Sequence, residues 1–352
     1  MPETLVIRSD AGLRMGMGHV MRCLALAQGW QEEGRDVLFV QAESLPVVES
    51  RLKSEGMQVA QLPEIQPGSQ EDALETALLA QKHGARWIII DGYHFGAAYQ
   101  KHLKDSGYAL LFFDGYGHAE HYYADLILNQ NIYATADIYE SKETYTQLLL
   151  GTSYIMLRRE FWPWRNWQRE IPEKARNILV TLGGSDPDNI TLKVIQALQQ
   201  IKDDDLQIIA IIGGANPHYS ELKVAINAGI KTIRMEKNIT NMPKLMAWAD
   251  LAISAGGGTC WELAFMRVPS LLLVLAENQE KVARYLHQEN IAVCLGAGEQ
   301  ATPYSIAGSI SSLISNSQLR RDLSLAGANQ VDGYGVMRVI SSLGKSHSEV
   351  IR

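Results

Sequence analysis

The residues best suited to do chemistry lie near the start, in the stretch RSDAGLRMGMGHVMRCLALAQGW. An apolar run, Leu5-Val6-Ile7, gives way to a polar turn carrying Gly16 and Gly18, and His19 follows where an apolar-periodic segment begins. An imidazole in the first turn of a helix feels the positive end of the helix dipole, which disfavours its own protonation. The expectation is a ring that is neutral near pH 7 and able to take a proton, as a general base does.

Two glycine turns in the second half suit an anion. In LVTLGGSDPDN, Gly183 and Gly184 let the backbone approach a ligand, and Ser185 and Asp186 precede a helix whose first N–H groups are free. In ISAGGGTCWELAF, Gly256, Gly257 and Gly258 offer backbone donors to a pyrophosphate, and Thr259 is placed to cap the next helix. Glu262 could accept from a pair of ribose hydroxyls or reach back to the cap. Neither turn ends in the Gly-Lys-Ser/Thr of a Walker loop, and Gly16-Met17-Gly18 lacks the third glycine of a dinucleotide fingerprint. NAD is therefore not expected.

These residues need a frame, and the frame reads as α/β. Candidate strands at Thr4–Arg8, Asp36–Gln41, Trp87–Asp91, Ala109–Asp114 and Leu126–Asn129 alternate with helix patterns such as Val20–Glu33 and Asp72–Lys82. Runs such as WIIID and LLFFD are continuously apolar, as in parallel sheets covered on both faces. The alternation breaks at MLRREFWPWRNWQREIPEKAR and resumes with NILVTLGG, LQIIAIIGG, KTIRME, DLAISAGGG and PSLLLVLAE. This predicts two Rossmann-like doubly wound domains, at 1–158 and 174–340, with a connector at 159–173 and a tail at 341–352. Ligands are expected in a cleft between them, at the C-terminal ends of strands.

At 352 residues the chain is long for one core, which agrees with two domains. A net charge of −7 argues against nucleic acid or an anionic membrane as a partner. Three scattered cysteines and the absence of a long apolar segment or a basic leader point to the cytoplasm. Asp114, His118 and His121 lack a fourth ligand at suitable spacing, so no metal site is expected there.

The opening stretch resembles that of PseG-type enzymes, which hydrolyse UDP-2,4-diacetamido-2,4,6-trideoxy-β-L-altropyranose in pseudaminic acid biosynthesis. These look like GT-B, MurG-like glycosyltransferases turned to water as acceptor. The resemblance rests on Arg8-x-Asp10, on Gly16-x-Gly18-His19-x-x-Arg22, and on Asp91-Gly92-Tyr93. It extends through LRREF, LVTLGGSDP, SAGGGTCWEL and ENQE.

The resemblance implies a small-molecule UDP-sugar substrate and no metal or other cofactor. Gly183, Gly184, Ser185, Gly257, Gly258, Thr259 and Glu262 would contact UDP, with Asn278 and Gln279 facing the sugar-phosphate. Gly16, Gly18 and Arg22 belong to the opening signature on the substrate side. His19 would deprotonate a water that attacks the anomeric carbon with inversion. Tyr93 and Asp10 become further catalytic candidates, for placing the sugar or the base. The competing expectation is a GT-B glycosyltransferase that passes the sugar to an acceptor. His94, His118 and His121 stay outside the expected site, and no oligomeric state is assigned beyond a possible monomer.

Overall fold

The computed structural model describes residues 3–12, 15–237 and 239–349. The chain divides into two compact units, and each is built on one parallel sheet. The first sheet contains β1 (Thr4–Ser9), β2 (Asp36–Gln41), β3 (Gln58–Gln61), β4 (Trp87–Asp91), β5 (Ala109–Phe113), β6 (Leu126–Asn129) and β7 (Gln147–Leu150). Its spatial order is β3-β2-β1-β4-β5-β6-β7. Four helices connect the strands: α1 (Gly18–Glu32), α2 (Pro46–Ser54), α3 (Gln70–Lys82) and α4 (Ala97–Asp105). The strand order reverses direction between β1 and β4, whose register sets Ser9 beside Asp91. In such sheets this switch point is where connecting turns diverge and leave room for a ligand.

The apolar runs read from the sequence form the central strands. Val6, Ile88, Ile90, Leu110, Phe112 and Ile127 pack in one core cluster with Ala73 and Ala77 of α3 and Tyr99 and Leu103 of α4. The two edge strands, QVAQ and QLLL, were not expected. Both are short, and most of their residues are half-buried or exposed, so neither shows the continuous apolar signature of a covered strand.

The second sheet has the order β10-β9-β8-β11-β12-β13. Its strands are β8 (Asn177–Thr181), β9 (Gln207–Ile212), β10 (Ile233–Lys237), β11 (Leu251–Ala255), β12 (Ser270–Val274) and β13 (Val293–Ala297). Helices α5 (Ile190–Gln200), α6 (Tyr219–Ala228), α7 (Met242–Trp248), α8 (Thr259–Phe265), α9 (Glu277–Gln288), α10 (Pro303–Ser315) and α11 (Ser317–Ala328) accompany it. Strands β8 and β11 are neighbours, so the two glycine turns that follow them leave the same edge of the sheet.

The unit boundaries differ from the expected ones. The second unit runs from Glu160 to Asp332, and the chain from Gly333 onward returns to the first unit. There α12 (Gly335–Glu349) packs along α1, with Val336, Val339 and Leu343 buried. The stretch read as the end of the second domain plus a tail is thus one amphipathic helix that covers the first. The break in α/β alternation fell close to Arg159, but sequence order gave no sign of the return.

Candidate active site

The turn before α1 is closed by a small antiparallel bridge in which Gly16 N donates to Gly12 O at 2.7 Å. Gly16 has φ +78°, a left-handed conformation that glycine adopts without steric cost. This reversal starts α1 at Gly18, so His19 occupies the second helical position and is buried.

The His19 ring is held by Asp91, the last residue of β4, whose Oδ1 lies 2.5 Å from Nδ1. Burial alone would push the Asp91 carboxyl up, but the Arg22 guanidinium and the His19 ring beside it hold it well below the usual carboxylate range. An ionised carboxylate only accepts hydrogen bonds, so Nδ1 carries the hydrogen and donates. Arg22 forks onto the same carboxylate, Nε to Oδ2 at 2.5 Å and Nη2 to Oδ1 at 2.6 Å. The 3.2 Å between Arg22 Nη2 and His19 Nδ1 therefore reflects two donors sharing one acceptor rather than a bond between them. Cys23 Sγ donates to Oδ2 from 3.4 Å. Burial first, and then the Asp91 charge, push this thiol up and keep it a donor.

Among the described residues, the hydrogen bond of the His19 ring runs through Nδ1, to Asp91. The neutral ring then has its lone pair on Nε2. This is the tautomer a base needs, fixed by a buried carboxylate as in other acid–base dyads. Tyr93 meets the ring edge-on, with centroids 4.8 Å apart, and is 44% exposed, which puts its own surface within reach of solvent solutes. The structure thus brings His19, Arg22 and Tyr93 together.

Asp10 does not join them. It is fully buried, and Oδ1 accepts from Arg8 Nη1 at 2.6 Å, from Ala42 N at 2.8 Å and from Glu43 N at 3.1 Å. Arg8 in turn forks onto Asp72 of α3 at 2.7 and 2.8 Å. His94 Nε2 stands 3.2 Å from the other Asp10 oxygen, at ion-pair distance but out of line for a hydrogen bond. Expected to act on a sugar or on the base, Asp10 instead has its carboxylate tying the ends of β1 and β2 together. Only the residue type was visible in sequence, and a strand-end aspartate serves either purpose.

Asp91, which holds the His19 ring, was not among the expected site residues. Its signal was a lone carboxylate ending a wholly apolar strand at the centre of a parallel sheet. A second group sits nearby in the turn after β5. Asp114 Oδ1 accepts from Tyr116 N at 2.8 Å and Gly117 N at 3.1 Å, Oδ2 accepts from the Tyr122 hydroxyl, and His118 Nδ1 lies 3.3 Å from Oδ1. Tyr116 and His118 both face Tyr93, with ring centroids at 5.9 and 6.4 Å. His121 pairs elsewhere, with Ser141 and Glu143. Among the described residues no group of three or more His, Cys, Asp or Glu side chains is arranged to hold a metal ion.

In the second unit the expected ligand turns lie on the shared edge of β8 and β11. Gly183 takes φ +89°, and Gly213, after β9, packs so tightly on this turn that an added Cβ would fall 2.2 Å from Gly184 O. Gly213 was not among the residues expected at this turn, although the IIGG run containing it is visible. Asp186 caps α5 from below the turn, accepting from Ile190 N and from Thr191 N and Oγ1. Thr259 is corrected from helix cap to first helical residue: the cap position is Gly258, with no side-chain capping bond. Glu262 lies in the first turn of α8. Gly256 packs against Ala283 and Gln279, and Gln279 Oε1 accepts from Leu275 N at 3.1 Å. Gln279 Nε2 lies 3.7 Å from where a Cβ on Gly257 would be. The three-glycine turn and the start of α9, with exposed Asn278, are therefore adjacent. Ser185 is half-buried beside Gly184.

The chain is similar to several known proteins. Residues 177–330 match the family described as the glycosyltransferase family 28 C-terminal domain. Spore coat polysaccharide biosynthesis protein SpsG of Bacillus subtilis is 29% identical over 339 residues, 96% of each chain. The UDP-2,4-diacetamido-2,4,6-trideoxy-β-L-altropyranose hydrolase of Campylobacter jejuni is 26% identical over 293 residues, 82% of this chain and 98% of the relative. Among solved structures, MurG of Acinetobacter baumannii superposes with a TM-score of 0.65 at 16% identity, covering 98% of this chain and all of that one. The fold is GT-B, with two parallel-sheet α/β units. No helix of the described residues is long and apolar enough to cross a membrane.

Proposed function

We infer that the protein hydrolyses UDP-2,4-diacetamido-2,4,6-trideoxy-β-L-altropyranose to UDP and free 2,4-diacetamido-2,4,6-trideoxy-L-altrose. The observation that carries this reading is the His19–Asp91 dyad, with Nδ1 engaged and Nε2 left to accept. A protein that only bound a UDP-sugar would have no use for a buried carboxylate fixing the tautomer of a base.

In this reading His19 Nε2 takes a proton from water as the water oxygen bonds to the anomeric carbon. The bond from that carbon to the phosphate oxygen breaks on the opposite face, so configuration inverts and UDP departs with the electron pair. Asp91 stabilises the imidazolium that forms, without taking its proton. Arg22 keeps Asp91 ionised, and Tyr93 borders the ring on its exposed side. The diphosphate falls to the glycine turns after β8 and β11, where backbone N–H groups can meet charge as it develops on the leaving group. The C. jejuni relative's name supports the substrate.

A second reading, transfer of the sugar to an acceptor, is favoured by the glycosyltransferase family 28 match over residues 177–330. One assay separates the two: UDP release from the diacetamido-trideoxy sugar nucleotide, with no acceptor, by intact protein and by His19→Ala. Release that vanishes in the variant supports hydrolysis through His19. Release only when an acceptor is supplied overturns hydrolysis, and release that survives in His19→Ala overturns the mechanism.

A further inference from the structure

Two tyrosines beside the His19 ring are held in place yet left open to solvent. Tyr93 meets His19 edge-on with centroids 4.8 Å apart, and Tyr116 meets Tyr93 at 5.9 Å with the ring planes 57° apart. Tyr93 is 44% exposed and Tyr116 is 40% exposed. A single exposed tyrosine needs no account, but two in contact next to a buried base do. The backbone that carries Tyr116 is fixed from several directions. Asp114 Oδ1 accepts from Tyr116 N at 2.8 Å and from Gly117 N at 3.1 Å. The Tyr139 hydroxyl donates to the Asp114 carbonyl at 2.8 Å, and Asn131 Nδ2 donates to the Gly115 carbonyl at 3.4 Å. Gly117 takes φ +70° and lies so close to the next segment that an added Cβ would fall 2.8 Å from Ile138 O. The turn therefore presents the Tyr116 ring at a set position without burying it.

We propose that Tyr116 is a specificity-determining residue: with Tyr93 it forms an aromatic wall that packs against the methyl and C–H groups of a deoxy, N-acetylated sugar at His19. The inference rests on the hydrolase reading, and it says what in the sugar the site selects. The sugar of that reading carries a methyl where an ordinary hexose has a hydroxymethyl, and two acetyl methyls besides. Such groups suit an aromatic surface, because the negative face of the ring attracts C–H edges and the contact removes apolar area from water. A hydroxyl in the same place would lose its water partners against a ring face that replaces them poorly. Tyrosine supplies this area at little cost in side-chain freedom, having only two torsions to fix. The ties of the Asp114 turn lower that cost further, since the backbone under Tyr116 is already ordered.

The test uses binding, so that it does not depend on turnover. In full-length His19→Asn, calorimetry compares the diacetamido-trideoxy sugar nucleotide with UDP-N-acetylglucosamine, which has one acetamido group and a C6 hydroxymethyl. UDP is common to both, so the ratio of the two dissociation constants reads the sugar alone. Adding Tyr116→Ala should narrow that ratio on the order of tenfold, the scale of a lost methyl contact, while Tyr116→Phe should leave it as it was. With tyrosine rings isotope-labelled, NMR should show contacts from sugar methyl protons to the Tyr116 ring. In the otherwise intact enzyme, Tyr116→Ala should raise KM for UDP release with little change in kcat, as loss of ground-state packing predicts. Tyr116→Leu serves if the alanine variant does not fold. An unchanged ratio, a phenylalanine variant as impaired as the alanine one, or no binding of the diacetamido sugar nucleotide would overturn the proposal. Binding with the expected ratio but no UDP release by intact protein would overturn the hydrolase reading and support the wall.

Discussion

His19 Nδ1 and Asp91 Oδ1 lie 2.5 Å apart, although 72 residues separate them in the chain. The parallel pairing of β1 with β4 closes that distance: the register sets Ser9 beside Asp91, and the Gly16 reversal brings the start of α1 over the same strand ends. If Asp91 fixes the tautomer, Asp91→Asn should lower kcat for UDP release by about two to four orders of magnitude with little change in KM. Steady-state kinetics at fixed pH checks this. A variant within threefold of the intact enzyme would remove Asp91 from the mechanism.

Arg22 is a quarter exposed while its partner Asp91 is fully buried, so removing the guanidinium strands a buried charge. Arg22→Met should cost about 3–5 kcal/mol by urea unfolding. Adding Asp91→Leu should restore most of that stability but no activity. Failure of the double variant to recover would point to packing rather than charge as the reason.

Three buried carboxylates bear on acid stability. For Asp10, Asp91 and Asp114, burial alone would raise the pKa, but His94 and Arg8, Arg22 and His19, and His118 and Tyr122 respectively bring each below its ordinary value of 3.8. The unfolded chain then binds more protons than the native one, so stability rises with pH across this range. Their contribution is full above 3.8 and is lost as pH falls through the lower folded values. Unfolding free energy measured from about pH 5 to pH 2 should fall steeply. Asp91→Asn should flatten the slope, and an unchanged slope would contradict the depressed value.

Asp10 tests the reassignment from chemistry to architecture. Asp10→Asn keeps an oxygen for the Ala42 and Glu43 N–H groups but loses the charge facing Arg8, so it should cost about 1–3 kcal/mol of stability. The kcat of the folded fraction should stay close to that of the intact enzyme. A large loss of kcat at full stability would return Asp10 to the chemistry.

In the second unit, Gly213→Ala would drive a methyl into Gly184 O and force the turn after β8 to move. UDP affinity by calorimetry should drop on the order of tenfold, about 1.4 kcal/mol. An unaltered affinity would detach that turn from the diphosphate.

The sequence by itself determined the α/β class, the central strands, the break near Arg159 and the residue types at each strand end. Continuous apolar runs and glycine-bearing turns are local signals, because burial on both faces and left-handed backbone constrain residues where they occur. Tertiary structure alone decided which strand ends meet. It made Asp91 the partner of His19, enclosed Asp10 with Arg8, joined His118 to the Tyr93 turn, set Gly213 under Gly184 and returned α12 to the first unit. The physical reason is that a carboxylate at a strand end looks the same in sequence whether it faces a histidine, an arginine or backbone N–H groups. Strand order and register, set by packing across the whole sheet, choose among them.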